Sequence, residues 1–320
     1  MKKNNSKLIL SILIMGGTLA CVLAWGIFTS RITILPTKKP WLTITDSLGR
    51  EVSISRQPET IASLAPSNTE ILFALGLGDK VVAVSEYCNY PLEAQNRTKI
   101  GGFSTVNIEK VVDLEPDLVF ATCDVQEDIV GELERLGLTV IALDATDIED
   151  AIRSIRVIGK ATGQLETSEE LIDKLEQRIK AVTDKTKDLP DSQRPKVFYQ
   201  VWSDPLMTVG SETLTHYLIQ LAGGVNIASD STTKYPVYNL EILIERNPEV
   251  IIVSLGMGSS AASVEEVKDR KIWQIIDAVK NNRVYGINSD IVSRVGPRIA
   301  DALEEIASYI HPELFLVNDQ

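Results

Sequence analysis

Histidine is nearly missing from this chain: of 320 residues, only His216 and His311 are histidines. A dedicated protein cage for a bare transition metal is therefore not expected, because imidazoles usually supply such cages. No Ser/His/Asp set can be assembled, and neither a Gly-x-Ser-x-Gly elbow nor a His-Glu-x-x-His pair occurs. Cysteine is as scarce. Cys21 lies in an apolar N-terminal run, which leaves Cys88 and Cys123, at no zinc or iron–sulfur spacing. They read as two free thiols, since sequence alone cannot place them within bridging distance. Cys123 with His216 as nucleophile and base has no supporting spacing. Basic residues are in deficit, 32 against 44 acidic ones, for a net charge of −12. That argues against nucleic acid, whose phosphates need basic patches. The glycines of Gly256-Met257-Gly258-Ser259-Ser260 lack the Gly-Lys-Ser/Thr ending of a phosphate-binding loop and read as a connection. These absences weigh against an enzyme.

What is present begins with an uncharged apolar run, Leu8 to Phe28, behind Lys2, Lys3 and Lys7. Its length, about 31 Å as a helix, matches one bilayer core, and its positive flank should stay in the cytoplasm. It reads as a cleaved export signal, an uncleaved anchor, or a lipid-attachment site at Cys21, where Thr18-Leu19-Ala20-Cys21 faintly resembles a lipobox. All three place the rest of the chain outside the cytoplasmic membrane. Residues 31–42, with Pro36 and Pro40, read as a tether. The remainder, in a chain that is 44% apolar and 24% charged, has room for two ordinary domains.

One sentence of the sequence is said twice. Residues 108–122 and 240–254 align at a constant offset, with Glu109 on Glu241, Pro116 on Pro248 and Asp117 on Glu249. Each copy opens as a short helix, is stopped by proline, and continues as a β-branched run suited to a strand buried on both faces. Two such units imply two α/β lobes of similar build, hence a cleft where a ligand binds.

The rest of the pattern agrees. Thr43 to Ser55 reads as a hairpin about Asp46-Ser47-Leu48-Gly49. Ile61 to Leu64 and Lys80 to Ser85 read as strands, with a helix between them capped by Ser67 or Asn68 and carrying Glu70 where a negative charge suits the dipole. Glu127 to Leu136 is a helix and Thr139 to Leu143 a strand, so residues 43–160 alternate as a parallel sheet requires. Residues 147–187 keep helical spacing without a strand. Thr167 or Ser168 looks like a cap there, and the second helix, within residues 161–190, reads as a connection between lobes. Val197 to Val201, Thr213 to Leu221, Trp273 to Val279, Val284 to Ile287 and Pro297 to Ile310 restore the strand–helix alternation over residues 191–320.

Several of these segments resemble a known family. Leu64 to Glu70, Glu86-Tyr87-Cys88-Asn89-Tyr90-Pro91 and Glu109 to Phe120 look like the extracytoplasmic binding proteins of ABC importers for vitamin B12, ferric siderophores and haem. The likeness runs from about Thr43 to Ile310 and is closest to the B12 binders. It implies an α/β fold of two Rossmann-like lobes with central parallel sheets, joined by one long rigid helix near Ser168 to Lys185, with the ligand in the cleft between them. It implies no catalysis and no resident cofactor. The cargo would be a corrinoid or, alternatively, a ferric siderophore or haem.

The resemblance also carries residues. Ser85-Glu86-Tyr87-Cys88-Asn89-Tyr90-Pro91 fits the B12 binders' Ser-x-Tyr-x-x-Tyr-Pro, so Tyr87 would face the corrin. Tyr235-Pro236 matches a Trp-Pro, Phe103 a Trp, and Pro66 the proline of the first loop; Trp202 is placed with them. Asp290 and Arg294, ahead of Pro297-Arg298, would bond rim amides or the nucleotide phosphate. For an iron chelate, Tyr87, Tyr235, Tyr238 and Arg294 would serve instead. Taken singly, each aromatic fits core packing equally well. Glu109 and Glu241 would dock, one from each lobe, on the importer's membrane permease dimer with its ATPase subunits, the binding protein acting as a monomer.

Overall fold

The computed structural model describes residues 39–144, 146–256 and 263–315. The N-terminal apolar run, Cys21, most of the tether and residues 257–262 lie outside them. The described residues from Trp41 onward form one compact unit.

Strand formation follows the apolar runs. A hairpin comes first, β1 (Leu42–Thr45) against β2 (Glu51–Ile54), in the register Leu42↔Ile54 to Thr45↔Glu51. The Asp46 carboxylate accepts from the backbone N–H groups of Leu48 (3.1 Å) and Arg50 (3.0 Å), which shapes the turn. The first lobe is built on β3 (Ile61–Ser63), β4 (Val81–Val84), β5 (Thr98–Lys99), β6 (Leu118–Thr122) and β7 (Val140–Leu143). All pair in parallel, in the order β5-β4-β3-β6-β7. The second lobe uses β8 (Lys196–Gln200), a small hairpin of β9 (Trp202–Ser203) and β10 (Leu206–Met207), then β11 (Val225–Asn226), β12 (Val250–Leu255) and β13 (Val284–Asn288). Its sheet is also parallel, ordered β11-β8-β12-β13. In each sheet the chain winds first to one side of its opening strand and then to the other. That reversal leaves a crevice beyond the strands' carboxyl ends, where doubly wound sheets bind ligands.

The central strands are buried on both faces, with period two. Leu118 and Phe120 of β6, and Val250 and Ile252 of β12, face one core. Val119 and Ala121 face a second core confined to the first lobe, and Ile251 and Val253 a third confined to the second. The first core is shared. It runs from Ile61 and Ile71 through Ile172, Leu175 and Val182 of the helix Leu165–Thr186 to Leu303 and Ile306. This 22-residue helix, about 33 Å long at 1.5 Å per residue, packs on Ile148–Thr162 at one end and on Ile299–Ile310 at the other. It is the bridge between the lobes.

The duplicated unit repeats in atomic detail. Asn107 and Asn239 cap the two helices: Asn107 Oδ1 accepts from Lys110 N (3.0 Å), and Asn239 Oδ1 from Glu241 N (2.6 Å). Glu115 and Asn247, each one residue before the proline, are both left-handed, with φ of 44° and 43°. Asp117 then accepts from the backbone N–H of Glu59 (2.9 Å) and Glu249 from that of Lys196 (2.9 Å), latching each unit to the entry of its lobe's first strand.

Three local expectations are corrected. Neither Ser67 nor Asn68 caps a helix. The helix starts at Pro66, whose fixed φ and missing N–H suit a first position, and the Asn68 amide donates instead to Ala121 O (3.0 Å). Thr167 and Ser168 are not caps either; the bridging helix begins at Leu165, and Ser168 is buried against Gly159. Trp273 to Val279 is not one helix but a 3₁₀ turn (Lys271–Ile275) followed by Asp277–Lys280.

Candidate functional site

The carboxyl ends of the strands converge on a cavity of about 470 Å³ between the lobes. Pro66 and Ser67 reach it from the end of β3, Tyr87 from β4, Phe103 from β5, and Thr122, Cys123 and Val125 from β6. Tyr235 and Lys234 from the segment after β11, and Ser293 to Val295 from beyond β13, close it from the second lobe. A smaller cavity of about 360 Å³ continues into the second lobe. The two share Thr146, Lys234, Tyr235, Ser293 and Val295.

Five of the seven expected ligand residues, Pro66, Tyr87, Phe103, Tyr235 and Arg294, thus line one cavity. Tyr87 and Tyr235 remain 60% and 55% exposed, large apolar surfaces left uncovered on opposite lobes. Trp202 is not among the lining residues; its indole N–H donates to Asp204 O (3.1 Å) within the β9–β10 hairpin. Asp290 does not line the cavity either. Its carboxylate accepts from the Asn89 amide (2.9 Å) and pairs with Arg294 (2.8 Å). Tyr238 packs on Phe198 instead of entering the cleft.

Sequence reading missed the group that joins the lobes at this rim. Glu70 is almost fully buried and holds two arginines from the other lobe. Arg294 Nη1 donates to its Oε1 (3.0 Å), and Arg298 donates through Nε (2.8 Å) and Nη2 (2.5 Å). Arg294 also donates to Asn89 Oδ1 (2.7 Å) and Tyr87 O (3.2 Å). The Arg298 guanidinium lies 4.0 Å from the Tyr90 ring centre, a cation–π contact. Burial works against the Arg298 charge, but the hydrogen bond and charge of Glu70 outweigh it and raise its pKa. Arg294 thus lines the cavity with its charge already met by protein: three hydrogen bonds tie it to Glu70, Asn89 and Tyr87, and Glu70 and Asp290 are its ion-pair partners. The available signal was the polar run Ser67-Asn68-Thr69-Glu70, which the structure buries whole within the helix Pro66–Ala74.

Cys88 is buried and Cys123 half-buried, and both are free thiols, as expected. Burial first, then the neighbouring Asp144 and Asp46 charges, pushes the Cys123 thiol up to about 11. It is a weak nucleophile at neutral pH. Among the described residues no cluster of metal-binding side chains occurs. Glu109 and Glu241 are exposed, each in the first turn of its matched helix.

Two parallel-sheet lobes on a bridging helix, with an aromatic cleft at the strand ends, define an extracytoplasmic solute-binding architecture. The sequence matches the periplasmic binding protein family over residues 61–291, and the chain belongs to that family. It is 35% identical over 279 residues to YvrC of Bacillus subtilis, an ABC transporter substrate-binding lipoprotein, covering 86% of this chain and 87% of that one. It is 31% identical to the vitamin B12-binding protein of Vibrio cholerae over 79% of this chain and 89% of that protein. The crystal structure of the Vibrio cholerae periplasmic vitamin B12 binding protein BtuF superposes with a TM-score of 0.69 at 30% identity, covering 80% of this chain and 98% of that one. The protein is thus an extracytoplasmic component of an ABC transporter.

Proposed function

We propose that this protein captures a corrinoid and hands it to an ABC importer. The observation that carries the reading is the pair of exposed aromatics, Tyr87 and Tyr235, lining one cavity from opposite lobes with Phe103 beside them. A large flat ring rimmed by amides needs such surfaces, each aromatic contact being worth about 0.5–1.5 kcal/mol beyond burial. The B12-binding name of the Vibrio cholerae relative, met both in sequence and in crystal structure, supports the same cargo. The protein itself supplies binding and delivery, with no chemical step and no resident cofactor. Glu109 and Glu241 dock on the two halves of the permease, whose two-fold symmetry suits one carboxylate from the same position of each duplicated unit. Attachment through residues 8–28 would keep the protein at the membrane, in keeping with the lipoprotein name of the Bacillus relative.

The test is a cargo titration. Tryptophan fluorescence of the soluble protein should be quenched by cobalamin with a submicromolar dissociation constant, and haem and a ferric catecholate should leave it unchanged. Saturation by haem or the ferric chelate with no response to corrinoids would replace the cargo and keep the architecture.

A further inference from the structure

The two cavities meet at Lys234. It is exposed, it lines both, and among the described residues its ammonium has no hydrogen bond or ion pair. Its backbone is nevertheless fixed. Gly210 N donates to Lys234 O (2.8 Å), and Thr208 N donates to Pro236 O (3.1 Å), so the segment is stitched to the wall beyond β10. The cleft's arginine is already neutralised by Glu70 and Asp290. Among the described residues Lys234 is therefore the cation of the cleft wall without a direct ionic partner, on walls that also carry the carboxylates of Asp144 and Glu212. Thr122 Oγ1, on the first-lobe wall, is buried and has no hydrogen-bond partner among the described residues, whereas Ser254 on the second-lobe wall lies within reach of the buried Tyr199 hydroxyl.

The geometry points to Lys234 as the residue that selects a corrinoid still carrying its nucleotide arm. The ring occupies the space between the lobes. The arm's phosphodiester pairs with the Lys234 ammonium at the junction. Its heterocyclic base enters the second-lobe cavity, whose walls include Val201, Met207, Val209 and Leu214. This rests on the corrinoid reading and adds to it which part of the molecule is discriminated, and by what charge.

The experiment titrates the wild-type protein, Lys234→Gln and Lys234→Arg with cobalamin and with cobinamide, which lacks the nucleotide. Wild type should bind cobalamin at least about tenfold more tightly, about 1.4 kcal/mol. Lys234→Gln should erase that preference by weakening cobalamin alone, and Lys234→Arg should restore most of it. Raising the salt concentration should narrow the preference in wild type and not in Lys234→Gln. Equal wild-type affinities, or a Lys234→Gln variant that weakens both ligands alike or neither, would overturn the inference and leave the corrinoid reading standing. Binding of neither corrinoid would overturn both.

Discussion

Glu70 was expected in a first helical turn, but the helix Pro66–Ala74 has no acidic residue there; Glu70 begins the second turn, and its partners lie more than two hundred residues away. Its side chain is 2% exposed, and Arg294 and Arg298 are 11% and 14% exposed. Such a cluster is not strong evidence of net stabilisation, because desolvating the charges offsets much of their attraction. Removing one member is different, since it strands the others. Glu70→Ala should lower the unfolding free energy by about 3–5 kcal/mol, read by urea denaturation, and Glu70→Gln should cost less because it keeps some hydrogen bonds. A loss below about 0.5 kcal/mol, the scale of an ordinary surface change, would show that the two arginines find water as easily as Glu70. Tyr87 belongs to the same scale. Its carbonyl is held by Arg294 while its ring stays exposed, so the clasp positions a cleft aromatic as well as joining the lobes.

Among the elements, the bridging helix depends on one missing side chain. Gly159, in the helix Ile148–Thr162, lies so close to Ser168 that a Cβ there would collide with the serine side chain. Gly163 then turns the chain left-handed, with φ of 76°, into the bridge. Alanine at position 159 would gain about 1 kcal/mol of helix propensity. The collision, with a Cβ fixed to the facing backbone, should cost about 1–3 kcal/mol and win. Gly159→Ala is therefore expected to lower the thermal midpoint by a few degrees. An unchanged or raised midpoint would mean the two helices slide apart freely. The duplicated helix–proline–strand unit was legible at this scale, because its caps, its stop and its buried strand are all local. The two-residue strands β5, β9, β10 and β11 were not, since so short a stretch carries no periodicity.

At the scale of the whole molecule, one core passes from the first lobe through the bridging helix to the second. Relative movement of the lobes has to shear that core and break the Glu70 clasp, so closure on cargo should be modest. The docking proposal belongs here too. Glu109→Arg combined with Glu241→Arg reverses two exposed charges and touches no cleft residue. Cargo affinity should stay within about twofold, while uptake by cells carrying the importer should fall at least about tenfold, because misplaced like charges suppress encounter and register. Normal uptake by the double variant would reject the docking role.

The sequence by itself determined the two α/β lobes, their shared unit, the long joining helix and most of the aromatic cleft. Those rest on local apolar period, on proline and asparagine at element ends, and on motifs contiguous in the chain. Only the tertiary structure decided how the charges are spent: that Glu70 pairs with Arg294, that Asp290 and Trp202 stand back from the cavity, and that Lys234, between two chambers, has no partner among the described residues. Charge pairing depends on which distant segments meet, and hydrophobic periodicity records that a face is buried without recording what it is buried against.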